Sequence, residues 1–405
     1  MIANHIELCD RKDCTGCLAC IQTCKQNAIR QEVSDDGFVY PVIDHDKCIG
    51  CTACEKVCPI LSLQPPFHYN SGSPCYSGYQ KKMDVRKRSS SGGMFYTLAK
   101  HTLDKGGVVY GAAWTEGLHL KHIEAEDEET LERLLRSKYV QSDTSEVYAQ
   151  AKKRLDEGRQ VLFCGTPCQV AGMRTFLRGK EYENLILVDV ICQGVPSPEI
   201  FKKYIDGVEA KLKTKVVDVI FRSKKYGWRC GLLLLVVLCA DGKKIEIKYK
   251  RNTYYRAFLR NFFMRESCYS CKFKASGKGC FSDITLADFW RIGNKVPFKC
   301  DSYESGVSAV LTNTPKGEQL FEEVKNEIVW DNRTYEEFST NGGVRIAKCP
   351  ENLQAAFLSA KTEDFDAIQA KYYPYNWKNH LSDWLSLHFS QRTIHNIKRW
   401  IRRLQ

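Results

Sequence analysis

With 405 residues, 43% apolar side chains, 27 glycines and 12 prolines, the chain has material for two or three globular domains and too much apolar content for general disorder. Its formal net charge is +12, from 60 Lys+Arg against 48 Asp+Glu, with 20 cysteines counted as neutral. Met1 to Asp13 carries Glu7, Asp10 and Asp13 and lacks the continuous apolar core of a secretory signal, and the longest apolar run, Leu232 to Ala240, is too short to cross a bilayer. A cytoplasmic protein is expected, in which abundant thiols serve metal centres or catalysis rather than disulfides.

The strongest pattern comes first in the chain. Cys14-x2-Cys17-x2-Cys20-x3-Cys24 recurs 34 residues later as Cys48-x2-Cys51-x2-Cys54-x3-Cys58-Pro59. Close spacing lets one turn of backbone present three thiolates to a cubane, while the fourth cysteine, opening a short helix, points to the partner cluster. Crossed ligation is therefore expected: Cys14, Cys17, Cys20 and Cys58 for one [4Fe-4S] cluster, and Cys48, Cys51, Cys54 and Cys24 for the other. A pair of zinc knuckles fits less well, because no histidines are interleaved. The module, residues 1–62, resembles a bacterial two-cluster ferredoxin of α+β type, with Lys25 where that family usually has proline; Cys9 reads as a small buried residue. Each such cluster brings a charge of about −2, so three would lower +12 to about +6, which leaves little case for nucleic acid.

Leu61 to Pro74, with Pro65-Pro66 and Asn70-Ser-Gly-Ser-Pro74, reads as a linker, and Cys75 after it has no evident role. Ser89-Ser-Ser-Gly-Gly93 then opens an apolar-periodic helix, Met94 to His101, a geometry suited either to a phosphate or to a plain capped helix beside a solvated basic loop. Strands and helices alternate from there: strand Val108 to Ala113, helices Glu128 to Leu135 and Ser145 to Glu157, strand Gln160 to Cys164, helix Val170 to Leu177, strand Leu185 to Ile191, helix Glu199 to Val208. This is an α/β pattern. Two successive turns carry Cys168 and Cys192, which meet at the carboxyl edge of a sheet if their strands are parallel neighbours. Cys268-x2-Cys271 lies in a Lys/Gly-rich loop, followed by Cys280. Cys168, Cys192, Cys268 and Cys271 could hold a third cubane, with Cys280 a rival fourth ligand; a zinc ribbon of Cys268, Cys271, Cys280 and one more is the alternative.

Ser-Ser-Ser-Gly-Gly at 89 to 93, Ser-Lys-Tyr at 137 to 139, Gly-Thr-Pro-Cys-Gln at 165 to 169, Cys-Gln-Gly-Val-Pro-Ser-Pro at 192 to 198, Cys-x2-Cys at 268 to 271 and Ser-Asp-Ile-Thr at 282 to 285 resemble the coenzyme F420 hydrogenase/dehydrogenase beta-subunit family. The similarity spans roughly Cys75 to Thr340. It implies a flavoprotein carrying FAD beside a [4Fe-4S] cluster: Ser90, Ser91, Gly92, Gly93, Lys138 and Tyr139 would bind the flavin, and Cys168, Cys192, Cys268 and Cys271 the cluster. Ala287 and Arg291 depart from the glycines that relatives commonly carry around Asp288-Phe-Trp290.

The expected architecture is thus an α+β ferredoxin module (1–62), an α/β flavin-binding core in two parts (75–160 and 161–345, the second with the third iron–sulfur site) and a helical basic tail (350–405). Clusters handle single electrons and a flavin can exchange two, so the expected activity is a flavin- and iron–sulfur-dependent oxidoreductase of unidentified substrate, or of a deazaflavin-like coenzyme. Its redox partner would be a ferredoxin-like donor or a larger oxidoreductase, and substrate is expected near Arg222, Lys224 and Trp228. The alternative is a non-catalytic electron-transfer subunit of a hydrogenase, dehydrogenase or polysaccharide-biosynthesis system. From Leu385 to Gln405, five Lys/Arg and the apolar Ile394, Ile397, Trp400, Ile401 and Leu404 recur at helical spacing, a helix able to lie on an anionic membrane surface or pack on its own domain.

Overall fold

A computed structural model describes residues 6–62, 74–228, 234–248, 251–274, 280–377 and 381. Most of the expected linker and the expected basic helix from Leu385 to Gln405 fall outside these residues. Among the described residues no helix is long and apolar enough to cross a membrane.

The amino-terminal part is small: α1 (Ala19–Thr23), a hairpin of β1 (Ile29–Val33) and β2 (Val39–Ile43), and α2 (Ala53–Lys56). The hairpin pairs Ile29 with Ile43 and Val33 with Val39, and Gly37 turns it at a φ of +76°. The repeat in sequence is a repeat in backbone. Gly16 and Gly50 (φ +67° and +70°) and Leu18 and Thr52 (φ +58° and +60°) take the same left-handed conformation in the two loops. Leu18 and Thr52 adopt it at a steric cost of about 1–2 kcal/mol each, and each caps the start of a helix. That geometry corrects one expectation: α1 contains Cys20 and ends before Cys24, so the fourth cysteine closes the short helix rather than opening it.

The rest runs β3 (Cys75–Gln80), α3 (Met83–Arg88), α4 (Met94–Asp104), β4 (Val108–Thr115), β5 (His119–Ala125), α5 (Glu128–Leu134), α6 (Val147–Asp156), β6 (Val161–Gly165), α7 (Pro167–Phe176), β7 (Leu185–Val190), α8 (Pro198–Leu212), β8 (Val216–Phe221), β9 (Leu235–Cys239), β10 (Lys244–Ile247), α9 (Thr253–Leu259), β11 (Ile284–Asp288), β12 (Ser308–Thr312), α10 (Pro315–Val324), β13 (Ile328–Arg333), α11 (Tyr335–Phe338), α12 (Leu353–Thr362) and α13 (Phe365–Tyr372). Eight strands form one mixed sheet in the order β13-β3-β12-β11-β7-β6-β4-β5, and β10-β9-β8 form a second, antiparallel one. Strands from 75–160 and from 161–345 interleave in the large sheet, and Cys75 opens one of its inner strands.

The centre of that sheet is parallel: β4 with β6, β6 with β7, β7 with β11. Its strands are apolar on both faces, as buried parallel strands must be. Val109, Leu162, Ile186 and Val188 point to the side covered by α4, α5 and α10. Val108, Tyr110, Val161, Phe163, Leu185 and Leu187 point to the side covered by α6 and α7, and there Cys17, Ala19 and Val57 of the amino-terminal part join the same core. The small sheet packs with α8, α9, α12 and α13 around Phe221, Leu235 and Tyr254.

Candidate functional site

The inner thiol set lies where the amino-terminal part meets α7. Cys14, Cys17, Cys20 and Cys58 are all buried. Cys9 stands beside the Cys14 and Cys58 thiols, which pushes its own pKa up and brings Cys14 down to about 6 and Cys58 to about 7. The Arg265 guanidinium and the Gly16 backbone also favour charge on Cys14, whereas burial pushes Cys17 up to about 12. Gly172 on α7 lets the set approach: a Cβ there would stand 2.9 Å from Cys17 Cβ. Thr175 Oγ1 donates to Val57 O (2.7 Å) and Thr144 Oγ1 to Cys17 O (2.8 Å), fastening both repeats to the core.

The outer set is Cys24, Cys48, Cys51 and Cys54, which line one apolar cavity with Ile6, Ile29, Ile43 and Ile49. Here Cys51 is exposed and Ile49 is 66% exposed. Each set therefore combines three cysteines of one repeat with the fourth of the other.

The central set gathers from three separate segments. Cys168 stands in the first turn of α7, Cys192 follows β7, and Cys268 and Cys271 belong to the loop after α9. Because β6 and β7 are parallel neighbours, both turns open at the same edge. Burial raises all four thiols, and like charge across the set raises them further: Cys271, Cys192 and Cys268 all act on Cys168. A buried lysine compensates. Lys274 Nζ donates to Gln193 O (2.7 Å) and Arg345 O (2.9 Å), and its charge favours thiolates at Cys192, Cys268 and Cys271. Cys280 is buried elsewhere, its thiol donating to Ser282 O at 3.8 Å. Soft sulfur donors in fours, screened by apolar walls and main-chain N–H groups, fit iron–sulfur cubanes. Among the described residues no group of three or more His, Cys, Asp or Glu closes around a single metal ion.

Beyond the central set lies a polar knot that contains every residue expected to touch a flavin. Ser90 Oγ accepts from Ser137 N (2.6 Å), Ser91 Oγ donates to Val307 O (2.8 Å), and Gly92 N donates to Ser308 Oγ (2.9 Å). Gly93 starts α4 at a φ of +92°. Lys138 is half-buried, its pKa pushed down to about 7 by desolvation, with Nζ donating to Leu134 O and Leu135 O (3.3 and 2.8 Å). Tyr139 packs on Tyr255 and Phe258 with ring centroids 4.7 and 4.8 Å apart. A cavity of about 520 Å³ opens beside Ser137 and Lys138, walled by β8, by Trp114 to Leu118 and by Arg133 and Arg136.

Arg222, Lys224 and Trp228, read from sequence as substrate-side residues, are knitted into this knot rather than set on an open surface loop. Arg222 makes a bidentate pair with Asp288 (2.7 and 2.8 Å) and donates to Tyr139 Oη (3.3 Å). Trp228 Nε1 donates to the same carboxylate (3.0 Å), and its ring stacks on Trp290 at 4.3 Å. Lys224 Nζ donates to Arg86 O, Ser91 O and Ser305 O, and burial lowers its pKa to about 7. Arg291 is exposed. Asp288 and Trp290 were visible as a motif without a role; Arg265, His122 and Asp189 gave no sequence signal, because isolated polar residues acquire meaning only from what folds against them.

Residues 158–337 match the family described as the C terminus of the coenzyme F420 hydrogenase/dehydrogenase beta subunit, and residues 13–60 match the 4Fe-4S dicluster domain. No curated protein matches the chain. Among solved structures, a chain of the xenon-derivatised F420-reducing [NiFe] hydrogenase complex from Methanosarcina barkeri is similar at 16% identity and a TM-score of 0.43, over 74% of this chain and 91% of that one.

Proposed function

From the membership of residues 158–337 in the F420 hydrogenase/dehydrogenase beta-subunit family and of residues 13–60 in the 4Fe-4S dicluster domain, we propose an iron–sulfur flavoprotein oxidoreductase that passes electrons between the amino-terminal sites and FAD. When bound, the clusters supply single-electron steps and the flavin a two-electron exchange with substrate. In this reading Cys14, Cys17, Cys20 and Cys58 hold one [4Fe-4S] cluster, Cys24, Cys48, Cys51 and Cys54 a second, and Cys168, Cys192, Cys268 and Cys271 a third. Ser90 to Gly93, Lys138 and Tyr139 hold the flavin, and the adjoining 520 Å³ cavity receives the substrate.

The observation that carries the reading is the convergence of four cysteines from three segments at the sheet edge, on the same helix against which the inner set packs. The chain's own residues prepare these places: Lys274 offsets charge on the central thiols, the Arg222–Asp288 pair fixes Tyr139, and isoleucines line the outer set. A second reading is supported by the family's description as a beta subunit and by the exposed Cys51 and Ile49 at the rim of the outer set: the chain would then act as an electron-transfer subunit docked on a larger oxidoreductase.

The test is the iron, sulfide, zinc and flavin content of anaerobically purified protein, with Cys268→Ala alongside. About twelve irons and one flavin, falling to about eight irons in the variant, are expected. About eight irons with zinc and no flavin would overturn the three-cluster flavoprotein.

A further inference from the structure

The inner and outer thiol sets have unlike surroundings, and one side chain makes most of the difference. The main chain of Arg265 belongs to the central site: its N–H donates to Val195 O (3.0 Å), and its carbonyl accepts from Cys268 N (2.9 Å). Its side chain leaves that site and crosses to the inner set. Only 1% of the residue is exposed. Nε donates to Cys14 O (2.7 Å), Nη2 to Cys14 Sγ (3.7 Å) and Val39 O (3.1 Å), and Nη1 to Gln141 Oε1 (3.0 Å). The guanidinium lies over the Tyr40 ring, 4.0 Å from its centroid. Gly16 leaves it room, since a Cβ there would stand 2.7 Å from Nη1.

Around the outer set the lining is Ile6, Ala28, Ile29, Ile43, Ile49 and Ala53. Hydrogen bonds to its sulfurs come from the main chain, from Ala28 N to Cys24 (3.4 Å) and from Glu55 to Cys54. Lys25 and Lys47 nearby are exposed, where solvent screens them.

We propose that Arg265 is a positioning residue that holds the reduction potential of the inner cluster above that of the outer one, so that the more easily reduced site lies on the core side. The inference rests on reading both sets as [4Fe-4S] ligands. Reduction adds negative charge, which a buried guanidinium and donors to a ligand sulfur stabilise, while an apolar wall does not. Exposure of Cys51 acts the other way, by hydrating the outer set. A full charge held at contact distance out of water outweighs the hydration of one thiol. Arginine suits the place because its planar fork reaches a sulfur, two carbonyls and an amide together, which a lysine cannot.

Redox titrations of the full chain followed by EPR, with iron analysis on every variant, test this. The wild type should show two separated amino-terminal midpoints, and Cys51→Ala should remove the lower. Arg265→Gln should lower the upper midpoint and leave the other in place, and Arg265→Lys should lower it less. An upper midpoint that stays or rises in Arg265→Gln, or two midpoints that fall together, would overturn the proposal. If Arg265→Gln loses iron, Arg265→Lys decides, and an upper midpoint that is unchanged or raised at full iron content overturns it. Wild-type protein with fewer than about eight irons would instead sink the reading of the thiol sets.

Discussion

Asp189 and His122 are both buried in the large sheet or against it, and their effects on acid stability have opposite sign. Desolvation raises Asp189 to about 6 from an ordinary 3.8, only partly offset by hydroxyls of Thr285 and Ser282, and Oδ1 has no partner. The native protein thus holds a proton that the unfolded chain releases, so stability falls as pH rises from about 4 to about 6 and the loss is complete above. His122 is depressed to about 4 by burial, so it costs stability as pH falls from 6.5 towards 4. Asp189→Asn should unfold at a higher denaturant midpoint than wild type, by an amount that grows between pH 4 and 6 and then levels at about 2–3 kcal/mol; a constant difference across that window would contradict the assignment. Asp288 gives a sharper case. Asp288→Asn leaves Arg222 buried without its counter-charge and should cost about 3–5 kcal/mol, read as a lowered unfolding midpoint.

At the scale of elements, two glycines decide how closely chains approach. On α7, Gly172 faces Cys17 and Tyr148 Oη, the latter 3.0 Å from a built Cβ. Gly172→Val should push α1 off α7, cost about 1–3 kcal/mol by overpacking, and lower the iron content by about four. In the turn before α4, a Cβ on Gly92 would stand 2.3 Å from Gly78 O and 2.8 Å from Ser308 N. Both are main-chain atoms of the sheet and cannot give way, so on the proposed flavoprotein reading Gly92→Ala should abolish flavin retention while iron remains. The helices and parallel strands of this region were legible from their apolar periodicity, because strands buried on both faces and helices buried on one leave different patterns. The second sheet was not. Only β9 carries a continuous apolar run, while β8 and β10 mix in charges at Asp218, Lys244 and Glu246 on their open sides.

Across the whole molecule, the amino-terminal part has little core of its own: Ile6, Ile29, Phe38 and Tyr40 pack largely against cysteines. Its loops hold left-handed backbone at Leu18 and Thr52. Metal binding should therefore supply much of its folding energy. Anaerobic removal of iron with a chelator is expected to expose residues 6–62 to protease while the large sheet stays protected, as mapped by mass spectrometry of the fragments; equal resistance before and after chelation would show that this part folds on protein contacts alone.

By itself the sequence determined the cysteine repeat and the alternation of strands and helices that carries Cys168 and Cys192 to one sheet edge. These are local: close spacing and short-period burial leave their mark within a few residues of chain. Only the tertiary structure decided that Cys268 and Cys271 face Cys168 and Cys192 while Cys280 does not, and that Arg222 and Trp228 turn inward onto Asp288. The same holds for Arg265, which joins the inner set to the central one. Each of these depends on contacts between segments tens to hundreds of residues apart, where a polar residue's role is set by the neighbour that desolvates it and not by the residues beside it in the chain.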